Sequence, residues 1–178
     1  AIAAAEKQLA SEERFLVLNG DGILGFSDME RLLKNKGMGL LTQEVDNPEE
    51  FGVIESSKGK ARRIVEKSAR PPSNLANVGV YIFDSGIFEA IDKTALSPRG
   101  EYEITDSIQY LIDSGREVSL VKAASWIDLT HPWDLLQANE LLMKKMKEKL
   151  QGEVEPRATI KGKIVLGKNS ILRDGAYI

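Results

Sequence analysis

Two acidic residues in a chain of 178 are the groups best placed to do chemistry. Asp21 ends the apolar run Phe15-Leu16-Val17-Leu18-Asn19-Gly20, and Asp128 ends Trp126-Ile127-Asp128. An apolar strand that carries an acid to its carboxyl end is how open α/β sheets present ligands to metals and phosphates. Two such acids could hold one Mg²⁺, an ion usually bound by one or two carboxylates plus phosphate and water. Beside glycine, Asp21 could equally be a plain turn former. Between the acids stand Val65-Glu66-Lys67 and the run Asn74-Leu75-Ala76-Asn77-Val78-Gly79-Val80-Tyr81, and after them comes a six-residue repeat.

The elements that must position these groups follow from periodicity and punctuation. Residues 1–9 have helix-forming composition without a start signal, as if the chain began inside a helix. Residues 15–19 read as a buried strand ended by Gly-Asp-Gly. Ser27-Asp28-Met29-Glu30 has capping-box spacing, which predicts a helix to about residue 35. Strands are expected over residues 37–45 and 77–83, and a hairpin from residues 51–55 and 61–66 around a turn at 56–60. Helices should begin near Ser85 and Thr105, with strands at 118–123 and 126–129. Pro132 suits a first helical position; its helix should run to about Leu150, with Leu135, Leu136, Leu142 and Met146 facing inward. Alternating strands and helices predict a Rossmann-like α/β fold, a mixed, mostly parallel sheet flanked by helices over residues 1–150.

From Ala158 the pattern changes. Ile160, Leu166, Leu172 and Ile178 recur every six residues, with the mostly small Ala158, Ile164, Ser170 and Ala176 two places before each. That period is the signature of a hexapeptide parallel β-helix, expected to start within residues 151–178; chance alternation in a hairpin is the alternative. A solenoid needs several stacked coils, so this segment is expected to seek partners.

Composition narrows the class. With 42% hydrophobic and 29% charged residues the chain has the make-up of a globular protein with one substantial core. A net charge of −3 gives no field to gather nucleic acid. No cysteine is present, which removes disulfides and thiolate chemistry and fits a cytoplasmic setting, and a single histidine, His131, rules out a multi-histidine zinc site. The apolar start is cut off by Glu6 and Lys7, too soon for a signal peptide or membrane span.

Asn19-Gly20-Asp21, Phe51-Gly52-Val53, Val65-Glu66-Lys67, Asn77-Val78-Gly79-Val80-Tyr81, Glu101-Tyr102-Glu103-Ile104-Thr105-Asp106 and Trp126-Ile127-Asp128 occur in this order. In this the chain resembles the central and later part of sugar-1-phosphate nucleotidylyltransferases. The likeness is to the glucose-1-phosphate thymidylyltransferase and archaeal bifunctional branches, in which a left-handed β-helix follows the catalytic domain. The resemblance implies nucleotidyl transfer from a nucleoside triphosphate, dTTP or UTP, to a sugar 1-phosphate, with Mg²⁺ and release of pyrophosphate. Glucose 1-phosphate or N-acetylglucosamine 1-phosphate is the implied acceptor, and a homo-oligomer formed through the β-helix or sheet domain is the implied assembly.

The residue types suit that chemistry. A phosphate oxygen must approach an anionic phosphorus, so positioning and charge neutralisation matter and no general base is required. Asp21 and Asp128 would form an oxygen-only Mg²⁺ site, and Lys67 would set a compact positive charge on the sugar phosphate. The resemblance gives Glu66 the sugar hydroxyls. Regular strand geometry would aim Glu66 and Lys67 at opposite faces, so both serve one ligand only at a strand end or bulge. Gly52 and Asn77 match positions lining the sugar: a glycine admits a ring closely, and an amide both donates and accepts. Glu101 and Glu103 read as solvated loop charge, Trp126 as core, and His131 as a structural residue near a helix start. Asp128-Leu129-Thr130-His131 stands where many relatives carry Asp-x-Gly-Thr.

The family's glycine-rich loop with its arginine and lysine does not occur, so the chain is expected to hold about half of an active site. Two rival functions remain: a catalytically silent regulatory or assembly subunit of the same fold, and a hexapeptide-repeat acyltransferase as a second activity of a longer parent. A tail without histidine weighs against the latter, and retention of Asp21, Lys67 and Asp128 against the former.

Overall fold

The alanine-rich start winds into a 3₁₀ turn (Ile2–Ala5) and one turn of helix, α1 (Glu6–Leu9), as its composition predicts. These come from a computed structural model that describes residues 1–178, divided into a unit Ala1–Thr130 and a unit His131–Ile178. In the first unit β1 (Phe15–Leu18) is followed by β2 (Gly22–Leu24), α2 (Phe26–Leu33) and β3 (Met38–Glu44). A hairpin of β4 (Gly52–Ser57) and β5 (Lys60–Glu66) turns through Lys58 and Gly59, both with left-handed φ, the geometry two-residue hairpin turns favour. The long β6 (Leu75–Phe83), α3 (Gly86–Lys93), α4 (Ile104–Asp113), β7 (Val118–Lys122) and β8 (Trp126–Asp128) complete it.

Six strands form one sheet in the order β1-β6-β3-β7-β5-β4. The expectation of a mostly parallel sheet is corrected: only β3 and β7 pair in parallel, and every other neighbouring pair is antiparallel. The cause is the placement of β6. It inserts between β1 and β3, the two strands that α2 connects, so parallel strands joined by a helix are not neighbours. The mixed α/β character holds.

Alternation along the central strands fills both faces. Leu40, Tyr81 and Phe83 point to a core shared with Ile87 and Phe88 of α3 and Ile108 and Leu111 of α4. Leu41, Val80 and Ile82 point the other way, onto Leu32 of α2 with Leu24 and Trp126 of the small strands. Fully burying each such aliphatic or aromatic side chain is worth about 1.5–3 kcal/mol, which is what holds α2, α3 and α4 on the sheet. Strands β2 and β8 pair only with each other, as an antiparallel ribbon outside the six-stranded sheet.

The capping box expected at Ser27 does not form. The helix starts two residues earlier, with Gly25 as its N-cap and no side-chain cap, and Ser27 lies within its first turn. Asp28 instead turns inward and is fully buried.

In the second unit, helix α5 (Asp134–Lys145) ends five residues before the expected Leu150, because Lys149 and Leu150 are drawn into a strand. Leu135, Leu136 and Leu142, expected to face inward, are more than half exposed, and Ala138 is the buried residue of that helix. Strands β9 (Lys149–Leu150), β10 (Glu153–Val154), β11 (Val165–Leu166) and β12 (Ile171–Leu172) follow. Glu153 pairs in parallel with Ile171 and Thr159 with Tyr177, each 18 positions on, while Lys149 pairs with Val165. Gly152 allows the passes to approach, since a Cβ there would overlap the Ser170 and Gly167 carbonyl oxygens.

Candidate functional site

The ribbon fixes the two aspartates relative to one another. Asp128 ends β8 opposite Gly22, and the next rung is closed by the Leu129 N–H donating to the Asp21 carbonyl at 2.8 Å. Asp21 is exposed and Asp128 half-buried, and Thr130 Oγ1 donates to Asp128 Oδ2. The two carboxylates therefore leave adjacent rungs at the open end of one ribbon. No cluster of three or more His, Cys, Asp or Glu residues able to hold a metal forms in the chain. An oxygen-only pair without nitrogen or sulfur donors suits Mg²⁺, whose other positions water and phosphate oxygens would fill.

A second set of polar groups gathers where the β4–β5 hairpin meets α4. Glu66 is the last residue of β5, in register with Gly52, and its Oε2 accepts from Thr105 Oγ1 at 3.1 Å. A Cβ on Gly52 would stand 2.7 Å from Glu66 Oε2 and 2.9 Å from Thr105 Cγ2, so only glycine leaves room for that carboxylate. Arg99 Nη1 lies 3.6 Å from Glu66 Oε1 and 3.7 Å from Glu103 Oε1, while Ser97 Oγ donates to Glu103 at 3.1 Å. Burial raises the Glu66 carboxyl above its ordinary range; the Thr105 hydroxyl opposes this, the Glu103 carboxylate adds to it, and Lys67 and Arg99 offset part of it.

Lys67 follows immediately, in a left-handed conformation with φ 38°, its N–H donating to the Phe51 carbonyl at 3.0 Å. Glu66 and Lys67 thus stand at a strand end where regular alternation stops, the condition under which neighbours can address one ligand.

Asn77 is brought in by a bulge in β6. Along β3, Leu40 pairs with Tyr81 and Thr42 with Asn77, so four positions of β6 answer two of β3. Gly79 supplies the left-handed residue, φ 76°, and its N–H donates to Asn77 Oδ1 at 3.1 Å. The shortened strand lets Asn77 Nδ2 donate to the Tyr81 hydroxyl at 2.7 Å. Burial pushes the Tyr81 phenol up to about 12, against the Asn77 hydrogen bond and with a further rise from the Glu66 charge. Gly52, Glu66 and Thr105 therefore form one packed group and Asn77 and Tyr81 a second.

A cleft of about 880 Å³ opens between the turn after β1 and the start of α4. Asn19, Gly20 and Asp21 line one wall, Tyr102, Glu103, Ile104 and Ser107 another, and Tyr81 lies between. Of the six expected site residues Asp21 alone lines it; Lys67, Asp128, Gly52, Glu66 and Asn77 do not, although Asp128 stands on the rung beside Asp21 and Asn77 donates to the lining Tyr81. Four residues were not expected at the site: Tyr81, Thr105, Arg99 and Glu103. Thr105 and Glu103 lie in the six-residue stretch starting at Glu101, and the solvated reading of Glu103 is corrected, since its side chain is 11% exposed and holds both Ser97 and Arg99. Trp126 is core, edge-on to Phe51 at 5.3 Å, and the His131 ring stacks on Trp133 at 4.6 Å, a structural role.

A family model described as nucleotidyl transferase matches residues 1–145. The bifunctional protein GlmU of Methanocaldococcus jannaschii is 39% identical over 161 residues, covering 90% of this chain and 39% of its own length. The low-salt glycan biosynthesis nucleotidyltransferase Agl11 of Haloferax volcanii is 36% identical over 174 residues, 94% of this chain and 49% of its own. The chain thus spans less than half the length of these two curated relatives. A crystal structure described as a glucose-1-phosphate thymidylyltransferase from Bacillus anthracis, in complex with sucrose, superposes with a TM-score of 0.68 at 30% identity. That match covers 84% of this chain and 61% of the other.

Proposed function

The chain belongs to the nucleotidyl transferase family, and on that premise we propose that the whole protein transfers a nucleotidyl group from dTTP or UTP to a sugar 1-phosphate, releasing pyrophosphate. Glucose 1-phosphate and N-acetylglucosamine 1-phosphate are the acceptors of choice. The observation that carries the reading is the placement of Asp21 and Asp128 on adjacent rungs at one ribbon end, with Asp21 on the wall of a cleft that is also lined by Glu103, which shares Arg99 with Glu66. Mg²⁺, held by Asp21 and Asp128, would supply neutralisation of phosphate charge.

The chain's own groups do the rest by positioning. Lys67 brings a cation to the sugar phosphate from the strand end beside Glu66. Glu66, held by Thr105 and Arg99, offers carboxylate oxygens to sugar hydroxyls, and Gly52 leaves the space in which a ring can lie against the backbone. Asn77 donates to the Tyr81 hydroxyl, which keeps its own hydrogen to donate. No group has to abstract a proton, because the nucleophile is already an anionic phosphate oxygen.

A second activity of the whole protein, acyl transfer on a β-helix, is favoured by the parallel pairings of residues 18 positions apart in the second unit. Those pairings match three hexapeptides per coil and support self-association of the protein through stacked coils. The resemblance of relatives named as bifunctional agrees with it.

Pyrophosphate release, measured across a panel of nucleoside triphosphates and sugar 1-phosphates, tests the primary reading. Turnover that Asp128→Asn abolishes while the melting temperature stays within a few degrees supports it; equal loss of both would make the carboxylate structural, and no turnover with any pair would overturn the assignment.

A further inference from the structure

Outside the cleft, one charged group is buried without exposure and has no part in the proposed chemistry: Asp28, in the first turn of α2. Its Oδ1 accepts from Arg31 Nη2 at 2.5 Å and its Oδ2 from the Ala124 N–H at 3.0 Å. The same Arg31 nitrogen donates to the Lys122 carbonyl at 2.7 Å. Lys122 ends β7 and Ala124 lies in the corner that leads to β8, so the pair grips that corner at two backbone atoms. A third grip comes from the Ala123 N–H, which donates to Thr42 of β3 at 2.8 Å.

The placement of this grip matters because of how the ribbon is built. Strand β2 runs from Gly22 to Leu24 and passes through Gly25 directly into α2, while β8 runs the opposite way from Trp126 to Asp128. Leu24 pairs with Trp126 at one end and Gly22 with Asp128 at the other. Asp28 therefore ties the end of β2 to the start of β8, and the aspartates stand at the far end. The ribbon shares no rung with the six-stranded sheet, so sheet hydrogen bonds do not set its position.

We propose that Asp28 and Arg31 are positioning residues that fix the spacing of the Asp21 and Asp128 carboxylates by clamping the root of the β2–β8 ribbon. The inference rests on the metal-site reading given above. A buried carboxylate that merely filled a void would be replaceable by an apolar residue; one that satisfies a backbone N–H and a guanidinium together leaves both unpaired when lost. Partners that orient metal ligands typically cost 10–100-fold in affinity when removed, which sets the scale of the effect, about tenfold here.

The test uses the whole chain with Mn²⁺ as the probe, measured by water-proton relaxation, together with amide hydrogen exchange. Asp28→Asn keeps an oxygen for Ala124 but loses the charge that holds Arg31; Arg31→Met removes the one nitrogen from which both Asp28 and the Lys122 carbonyl accept. Both variants should weaken Mn²⁺ binding about tenfold and speed exchange of the Leu129 amide, while amides of β3 keep their protection. If either lowers the melting temperature with Leu129 exchange and Mn²⁺ affinity unchanged, the residues are structural only and the clamp is refuted. Asp21→Asn serves as the separate control: if it too leaves Mn²⁺ affinity unaltered, the metal-site reading fails, and Leu129 exchange alone still decides whether Asp28 holds the ribbon.

Discussion

Asn77 and Tyr81 stand four residues apart on one strand, yet the amide of the first donates to the hydroxyl of the second at 2.7 Å. In a regular strand the rise of about 3.3 Å per residue would hold those positions about 13 Å apart. The bulge at Gly79 shortens that distance and turns two separated side chains into one hydrogen-bonding unit.

Loss of the Tyr81 hydroxyl tests the unit. In Tyr81→Phe the ring still fills its place, 2% exposed, but Asn77 Nδ2 loses its acceptor. The stability loss should be about 1–3 kcal/mol by denaturant titration, and sugar 1-phosphate binding should weaken, as calorimetry would show. Unchanged binding with the full stability loss would confine Tyr81 to the core.

Gly79→Ala strikes the same feature through the backbone. Alanine is strained at φ 76°, and its Cβ would overlap the Asn19 side-chain amide. A destabilisation of about 2–4 kcal/mol is expected. Adding Asn19→Gly removes the overlap and not the strained φ, so a double-mutant cycle should recover part of the loss.

The Glu66 carboxyl has its pKa raised in the folded chain, so the folded state binds its proton more tightly than the unfolded state. Its contribution to stability is therefore complete below the ordinary pKa of 4.5 and is lost as pH rises through the raised folded value. Glu66→Gln carries no such titration. Melting curves of both chains from about pH 4 to about pH 8 should show the parent losing stability relative to the variant across that interval. Parallel curves would mean that the carboxyl is not desolvated.

Self-association has a direct measurement. Val165, Ile171 and Ile178 are about half exposed, leaving apolar side chains of the second unit uncovered in a lone chain. Light scattering at micromolar concentration should give a mass above that of one chain, and Ile171→Asp should lower it. A strict monomer would remove the coil as an assembly surface.

Much of this was legible along the chain because it depends on local pattern. The apolar runs marked the strands, and the motifs placed Glu66 and Asp128 at strand ends, whereas Asp21, expected to close the first strand, lies in the turn just before β2. Sheet direction was not legible: helices between strands suggest parallel neighbours, and only three-dimensional pairing reveals that β6 lies between β1 and β3. Nor was Asp28 legible as a buried group, since Ser27-x-x-Glu30 is a good local cap and the inward turn of Asp28 is decided by Ala124, 96 residues away. The Tyr81 link was hidden for a similar reason: its partner is out of reach unless the strand bulges.

Gly52, Glu66 and Thr105 occupy space that cannot be redistributed one residue at a time. Even a methyl group at position 52 meets the acid on one side and the threonine methyl on the other. Reshaping this corner is consequently a problem of three coordinated substitutions, and libraries that vary single positions would find mostly damaged proteins.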